Sequence, residues 1–275
     1  VAGFLSGASS IDGGLNNGGD ITGTGAITDN EYTDEYYKFV ADNLPWEEQA
    51  EKYTDGFVRE RVRPYGRWNE NEIFIVGNIG GIAGYVYGDY AQIKNSGNRG
   101  TVHSELIAAN TPADAVPDTA KAANVGGVVG KISQKELDTM NSIKEKPENA
   151  TVYQSYNTGN VQGYTGVGGV VGAMYNGSIA NSYNLGTLKS TRQASDGSLE
   201  PLNMGGVVGD TTEDAGANAV IYDVYNAGTI GDSGFEYYGR HVGGVVGRLS
   251  GEIEKAYNTG DVYNGYSTVG GVVGW

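Results

Sequence analysis

Histidine and cysteine, the side chains that most often bind transition metals and that serve as catalytic bases and thiol nucleophiles, are scarce in this sequence. Cysteine is absent, and His103 and His241 are the two histidines. Neither histidine has a second ligand at a metal-binding spacing, and the sequence contains no H-E-x-x-H pattern. A Ser-His-Asp triad would need one of these histidines, and nothing around either one marks it for that role. We therefore predict that this segment is not an enzyme and has no catalytic residue.

Two clusters of carboxylates could bind a hard cation. Asp210, Glu213 and Asp214 form one cluster, and the acidic residues of segment 29–35 form the other. Calcium needs several such oxygens, so it is the cation we consider at Asp210, Glu213 and Asp214. No EF-hand pattern is present, and a solvated run of charge is the alternative interpretation. We predict no other cofactor.

One short segment concentrates basic and aromatic side chains in a chain that is otherwise acidic. These residues are Arg59, Arg61, Arg63, Tyr65, Arg67 and Trp68. One interpretation is a set of salt bridges to nearby glutamates such as Glu51 and Glu60. The other is a docking patch for an acidic glycan or a partner domain.

The composition limits the class of protein. The 275 residues include 18 Lys and Arg against 33 Asp and Glu, which gives a net charge of −15. That charge disfavours nucleic acid and anionic membranes as partners. Apolar runs reach only four or five residues, whereas a membrane-spanning helix needs about 20. An acidic, cysteine-free chain rich in Tyr, Asn, Gly and Thr is typical of an exported bacterial surface protein, and we expect an extracellular or cell-surface location.

The 46 glycines, about 17% of the chain, mark an internal repeat. The pattern G-G-x-x-G begins at residues 80, 126, 168, 205, 243 and 270, at intervals of 46, 42, 37, 38 and 27 residues. We take the shortest interval as the bare repeat and assign the additional residues to inserts. The chain begins and ends inside glycine blocks, so we interpret it as about six repeats, a segment of a longer chain.

A second block, built around Tyr-Asn-x-Gly, lies inside each repeat. It occupies residues 152–161, 179–188, 221–230 and 253–262, with a degenerate copy at 93–102. Near the N-terminus, residues 17–21 align with 258–262. We expect two columns of stacked side chains, a hydrogen-bonded ladder and an aromatic stack that serves for packing and not as a ligand platform. The ladder is Asn157, Asn184, Asn226 and Asn258, and the stack is Tyr156, Tyr183, Tyr225 and Tyr257.

Each block has the pattern of a β-strand. After each double glycine, positions such as Val170 and Met174 are apolar, and we expect them to face inward. The offset positions, such as Val171 and Ala173, are expected to face outward, and Ile253 and Tyr257 should share one side of their strand. A repeat of 27 residues cannot bury its own apolar face, but stacked repeats can. We therefore predict an all-β parallel solenoid, with a sandwich of hairpins as the alternative.

The glycine block followed by I-x-x-[SAV]-Y-N-x-G-x-[VIL] resembles the GLUG repeat of large bacterial surface and secreted proteins. These include adhesin-like proteins and the non-catalytic region of immunoglobulin A metalloproteases. The resemblance covers both blocks along the whole chain but not the inserts. It implies a right-handed parallel β-helix on an exported protein.

The inserts carry what is individual to this chain. They occupy residues 29–73, 103–124, 133–150, 189–203 and 210–219 of a single β-solenoid domain, 1–275. Helices are predicted at 32–40 and 45–53, and a capping-box pattern at Ser133 predicts a third helix that runs to Lys144. Three inserts lie at the same position in the repeat, between the Tyr-Asn block and the next glycine block: 29–73, 103–124 and 189–203. We therefore expect them along one edge of the solenoid, as a candidate binding surface.

We expect a non-catalytic structural and adhesive or partner-recognition module, a stalk or filament segment. Its partners would be a host or cell-surface protein or glycan, neighbouring repeats or domains of the same protein, or a second copy associated head to tail. One alternative is the substrate-recognition region of a secreted metalloprotease with catalysis elsewhere. Another is a β-helix polysaccharide lyase or glycosidase, since such enzymes use paired carboxylates.

Overall fold

The computed structural model describes eleven stretches of the chain. These are residues 2–29, 68–69, 72–74, 78–107, 124–134, 138–163, 166–190, 203–212, 218–231, 239–263 and 265–275. The chain divides into two compact units. The first comprises Val1–Gly23, Asn78–Glu105 and Ala123–Trp275, and the second comprises Thr24–Gly77 and Leu106–Ala122.

The described strands of the first unit form four sheets, which we name A to D in the order in which one repeat visits them. Sheet A follows the double glycines and contains Ala2–Ser6, Ala83–Tyr87, Val129–Ser133, Val171–Tyr175, Val208–Asp210 and Val246–Arg248. Sheet B carries the Tyr-Asn blocks: Ser10–Asp12, Leu15–Asn16, Gln92–Lys94, Gly97–Asn98, Val152–Tyr153, Tyr156–Asn157, Ser178–Asn184, Ala219–Asn226 and Gly251–Asn258.

Sheets C and D complete the repeat. Sheet C contains Ile21–Asp29, Val102–Ile107, Val161–Gly163 and Leu188–Ser190, and Ile230 and Val262 extend it by single bridges. Sheet D leads into the double glycines and contains Asn78–Gly80, Asn124–Gly126, Gly166–Gly168, Asn203–Gly205, Gly239–Gly243 and Gly265–Gly270. In the second unit, Glu72–Phe74 pairs antiparallel with Trp68–Asn69 and with residues 27–29.

Equivalent strands of successive repeats pair in parallel and in register. Val125 of sheet D lies between Ile79 and Val167, and Asn184 of sheet B lies between Asn157 and Asn226. A sandwich of hairpins would pair consecutive strands antiparallel, which the described strands of this unit do not do. The all-β class with parallel sheets is therefore confirmed.

One sequence register was wrong by a residue. Asn17 had been aligned with the ladder asparagines, but Asn16 is the residue that pairs with Asn98 in sheet B. The first repeat closes its turn through Gly19, three residues after Asn16, whereas the later repeats close it two residues after their asparagine. The additional residue in this turn accounts for the shift.

Apolar side chains inside the stack form the core. Sheets A and B enclose one cluster, and sheets C and D enclose a second that includes Val102, Val125 and Leu188. The expectation that Val171 and its equivalents face outward was wrong, because Val129, Val171, Val208 and Val246 are fully buried in the first cluster. The amides of Val128 and Val129 both donate to the Val170 carbonyl, so the strand bends there and consecutive side chains enter the core.

A second bend explains why Ile253 and Tyr257 do not share a side. Ile179 is fully buried, whereas Tyr183 faces outward, although four residues separate them. Between them, Asn181 has a φ of 51°, in the left-handed region. The same position is left-handed in five repeats, with φ between 47° and 52°, at Asn95, Gln154, Asn181, Asp223 and Lys255.

Serines satisfy the backbone directly after this bend. Ser96, Ser155 and Ser182 are buried, and each follows a left-handed residue. The amide of Ser155 donates to Oγ of Ser182 at 3.1 Å, and the amide of Ser96 donates to Oγ of Ser155 at 3.3 Å. A hydroxyl from the next repeat thus accepts an amide proton that the bend would leave unpaired in the interior.

The helix in insert 133–150 begins later than predicted. Ser133 is the last residue of a sheet A strand and pairs with Tyr87 and Tyr175, so it is not available as a helix cap. The helix is Met140–Glu145, and Thr139 and Ser142 form its capping box. A 3-10 turn, Pro147–Asn149, follows. Met140 and Ile143 are buried with Ala180, Val220 and Tyr222, so the helix covers part of the outer face of sheet B.

The left-handed column predicts the effect of a glycine substitution. Gln154 is exposed, and its β-carbon makes the left-handed conformation costly, whereas glycine adopts that conformation freely. We expect Gln154→Gly to raise the free energy of unfolding by about 0.5 to 1 kcal/mol in urea denaturation. The control is Gln162→Gly in the middle of a sheet C strand, where glycine should be destabilising by a similar amount. Destabilisation by both substitutions would contradict the assignment.

Candidate functional site

The side chains that the fold brings together most regularly are the asparagines of sheet B. Their amide groups form a continuous chain of hydrogen bonds along the stack. Each Nδ2 donates to Oδ1 of the next repeat at 2.7–2.8 Å, in the order Asn16, Asn98, Asn157, Asn184, Asn226 and Asn258. We refer to these six residues as the asparagine ladder.

Every hydrogen-bond donor and acceptor in the side chain of an internal ladder residue has a partner. Besides its two ladder bonds, Asn184 donates to the carbonyl of Gly186 at 2.9 Å and accepts from the Gly186 amide at 3.1 Å. Asn157 and Asn226 bond the glycine two residues later in the same way. All three are fully buried. Because a buried unsatisfied amide costs about 1–3 kcal/mol, a fully satisfied ladder favours one register between repeats.

Two columns of glycine leave room for the ladder. A Cβ on the second residue of a double glycine would lie less than 3.0 Å from the next double glycine and from the ladder asparagine, as at Gly169 and Asn184. A Cβ on Gly186 would lie just as close to the carbonyl of Gly159 and to the Asn157 amide. Any larger residue would push the repeats apart, so the glycine pattern is a requirement of close approach.

The tyrosines next to the ladder asparagines form an outer row. The rings of Tyr156, Tyr183, Tyr225 and Tyr257 stack with centroid distances of 5.5, 5.0 and 5.1 Å and interplanar angles of 12°, 8° and 5°. We refer to these four residues as the tyrosine row. Burial first, and then the neighbouring hydroxyls of Tyr183 and Tyr257, raise the pKa of Tyr225 above its ordinary value of 10.0.

The basic patch proposed from the sequence falls mostly outside the described residues. Arg59, Arg61, Arg63, Tyr65 and Arg67 all lie there. The backbone of Trp68 begins the short strand Trp68–Asn69, and its side chain is outside the description. The docking hypothesis for this patch stays a prediction.

The candidate calcium ligands are described only at Asp210. Its Oδ2 accepts from Asn203 at 2.7 Å, and its Oδ1 accepts from the amide and hydroxyl of Thr212 at 2.9 and 2.8 Å. Glu213 and Asp214 lie outside the described residues. Within the described stretches, no group of three or more His, Cys, Asp and Glu side chains could hold a metal ion.

The two histidines lie in different sheets, and each is close to a threonine hydroxyl. His103 is in sheet C, with Nε2 3.3 Å from the Thr22 hydroxyl. His241 is buried in sheet D, with Nδ1 2.7 Å from the Thr268 hydroxyl and its ring 5.6 Å from that of Trp275. Burial and then the charges of Arg248 and Arg240 lower the pKa of His241, and Asp210 opposes them.

Sequence comparison missed two ladder members. Asn98 had not been assigned to the ladder because Gly97 replaces the preceding tyrosine of the pattern, and Asn16 had not because Asn17 was aligned in its place. The ring of Tyr156 occupies the space above Gly97, where a Cβ would collide with it. The sequence did identify residues 93–102 as a degenerate copy, and its Asn98-x-Gly100 spacing was the signal that could have assigned Asn98 to the ladder.

Comparison with known proteins agrees with the repeat assignment. Residues 238–263 match a family model described as the GLUG motif. This stretch includes the double glycine of sheet D and the Tyr257-Asn258 pair. The resemblance to GLUG-repeat proteins is therefore confirmed, and the chain is an all-β repeat protein that carries this motif.

Among curated proteins, the chain is similar to Halomucin of Haloquadratum walsbyi. The two are 30% identical over 176 residues, which is 60% of this chain and 2% of Halomucin. The chain thus spans a very small part of the length of this relative. No solved structure matches the chain. In the described part of the chain, no helix is long and apolar enough to cross a membrane.

The glycine columns predict a large difference between two chemically identical substitutions. Gly206 and Gly271 are both the second residue of a double glycine, and neither has a positive φ. A Cβ on Gly206 would collide with Gly244 and Asn226, whereas a Cβ on Gly271 would meet nothing within 4 Å. We expect Gly206→Ala to lower the free energy of unfolding by at least about 2 kcal/mol. Gly271→Ala should change it by less than about 0.5 kcal/mol in the same denaturation experiment. Equal effects would refute the close-approach role.

The buried histidine predicts a pH dependence of stability. Because the folded-state pKa of His241 lies below its ordinary value of 6.5, the folded protein disfavours the imidazolium. Stability from this group is fully present above pH 6.5 and is lost as the pH falls through 6.5 toward the folded pKa. We expect the thermal midpoint of His241→Gln to change less between pH 7 and pH 5 than that of wild type. His103→Gln is the matched control, and identical pH profiles for all three proteins would contradict the assignment.

Proposed function

We propose that the chain is a non-catalytic structural and adhesive or partner-recognition module of a large exported surface protein. In this proposal the repeats form a right-handed parallel β-helix of about six coils, located outside the cell or on its surface. The observation that carries the proposal is the asparagine ladder, which links repeat to repeat by hydrogen bonds among the chain's own side chains.

A ladder of this kind suits a scaffold. Ladder residues bond to their neighbours and to their own turns, so repeats can be added without changing the interface between them. Such a structure positions outward side chains at a constant spacing and leaves their identity free. The residue after each ladder asparagine illustrates this freedom, since it is exposed and its type is not fixed: Asn17, Arg99, Thr158, Leu185, Ala227 and Thr259.

The comparisons support the same role. The GLUG motif at residues 238–263 and the similarity to Halomucin both favour a repeat module within a much larger surface protein. A module that accounts for so little of such a chain fits a role in extension and contact. Recognition would come from outward side chains and inserts held by the sheets.

A bead-binding experiment tests this proposal. Beads coated with the 275-residue chain are passed over immobilised neutral polysaccharides, acidic polysaccharides and cell-surface proteins, and the supernatants are assayed for reducing and unsaturated sugar products. Retention on at least one surface without product release is the expected result. Product release would contradict the non-catalytic role, and absence of retention on every surface would contradict the adhesive role.

A further inference from the structure

We propose that the tyrosine row is a binding site for an extended, neutral polysaccharide that lies along the stacking direction. This inference rests on the proposed adhesive function and names its ligand class. The observations that carry it are the regular spacing of the rings, the free hydroxyls at the centre of the row and the uncharged side chains along one side of it.

The row presents a repeating chemical group at a constant spacing. The ring planes are parallel within 12°, and the centroids advance by 5.0–5.5 Å per repeat. The hydroxyls therefore form a line with nearly the same spacing. An extended β-linked polysaccharide advances by a similar distance per sugar ring, so successive sugars can meet successive tyrosines.

The hydroxyls of the two central tyrosines are available to a ligand, whereas that of Tyr156 accepts a hydrogen bond from Arg99 at 3.3 Å. Among the described residues, nothing hydrogen-bonds to the hydroxyls of Tyr183 and Tyr225, and neither oxygen is buried. Tyr257 is 52% exposed. The ring faces are occupied by one another, as expected of a packing role, and the outer edges and hydroxyls are the parts that remain for binding.

On one side of the row the flanking residues are uncharged, except that Arg99 reaches the hydroxyl of Tyr156 at the end of the row. Alternate residues of a strand point to the same face, so Thr158, Leu185, Ala227 and Thr259 flank the rings on one side. All four are exposed, and none is charged. On the other side lies the left-handed column, which includes the exposed charged residues Asp223 and Lys255. Beyond that column, the helix Met140–Glu145 packs on Ala180 and Tyr222.

The chemistry of the row favours a neutral, hydroxyl-rich ligand. A phenol both donates and accepts a hydrogen bond, as does a sugar hydroxyl. A phenol keeps its proton at neutral pH, and burial together with Tyr183 and Tyr257 raises the pKa of Tyr225 further above 10.0. The chain has a net charge of −15, so an anionic polymer would be repelled and a neutral one would not.

The test removes the hydroxyls but keeps the stack. We expect Tyr183→Phe combined with Tyr225→Phe to weaken binding to cellohexaose and chitohexaose, measured by calorimetry, by about tenfold or more, as the loss of two hydrogen bonds implies. Tyr90→Phe, at a tyrosine that is 69% exposed outside the row, is the matched control and should bind like wild type. Melting temperatures of all proteins are compared so that a folding defect is recognised.

A second variant leaves the rings untouched. Ala227→Glu places a bulky charge beside Tyr225 on an exposed position, and it should abolish binding of the same oligosaccharides. Three results would overturn the proposal. The wild-type chain could bind polygalacturonate in place of the neutral oligosaccharides, it could bind neither oligosaccharide, or all variants could bind as well as wild type. If neither variant changes the adhesion of coated beads, the tyrosine row is not the binding site, but the proposed adhesive function stands. If wild-type beads adhere to no surface, both the binding site and the adhesive function are refuted.

Discussion

The structure depends on one geometric match, between the spacing of paired β-strands and the reach of an asparagine amide. Strands in a sheet lie about 4.7–4.9 Å apart, and an Asn side chain spans that distance to hydrogen-bond its equivalent in the next strand. Asn157, Asn184 and Asn226 do so at 2.7–2.8 Å inside the stack. A buried amide without such a partner would be costly, so the ladder requires every described repeat from Asn16 to Asn258 to stand in the same register.

The other regular features follow from this requirement. Glycine lines the ladder because any side chain would separate the strands, as the space around Gly169 and Gly186 shows. The left-handed residue before each ladder asparagine reverses the alternation, so the asparagine points inward and the preceding tyrosine points outward. The tyrosine row is therefore a consequence of the interior ladder, and its spacing is inherited from the strands. A surface array of evenly spaced hydroxyls thus arises from the same constraint that holds the repeats together.

The sequence predicted the features that depend on residue type at a fixed spacing. Parallel stacking of equivalent strands could be predicted because Tyr-Asn-x-Gly and the double glycines recur with little variation. The column of residues with left-handed backbone conformation could not be predicted. Asn95, Gln154, Asp223 and Lys255 share that conformation, but their side chains have no common chemistry. The helix start was misplaced because pairing of Ser133 in sheet A overrode a local capping pattern. Asn16 was missed because a single additional residue in its turn displaced the alignment.

Comparing an internal and a terminal member of the asparagine ladder tests the central claim most directly. Asn184 makes four side-chain hydrogen bonds in the buried interior, whereas Asn258 makes three, is partly exposed, and bonds to one ladder neighbour among the described residues. We predict that Asn184→Ala lowers the free energy of unfolding by about 3 kcal/mol or more, since it leaves several buried groups unpaired, and that Asn258→Ala lowers it by less than half as much. Small and equal losses in chemical denaturation would contradict the view that the ladder holds the repeats in register.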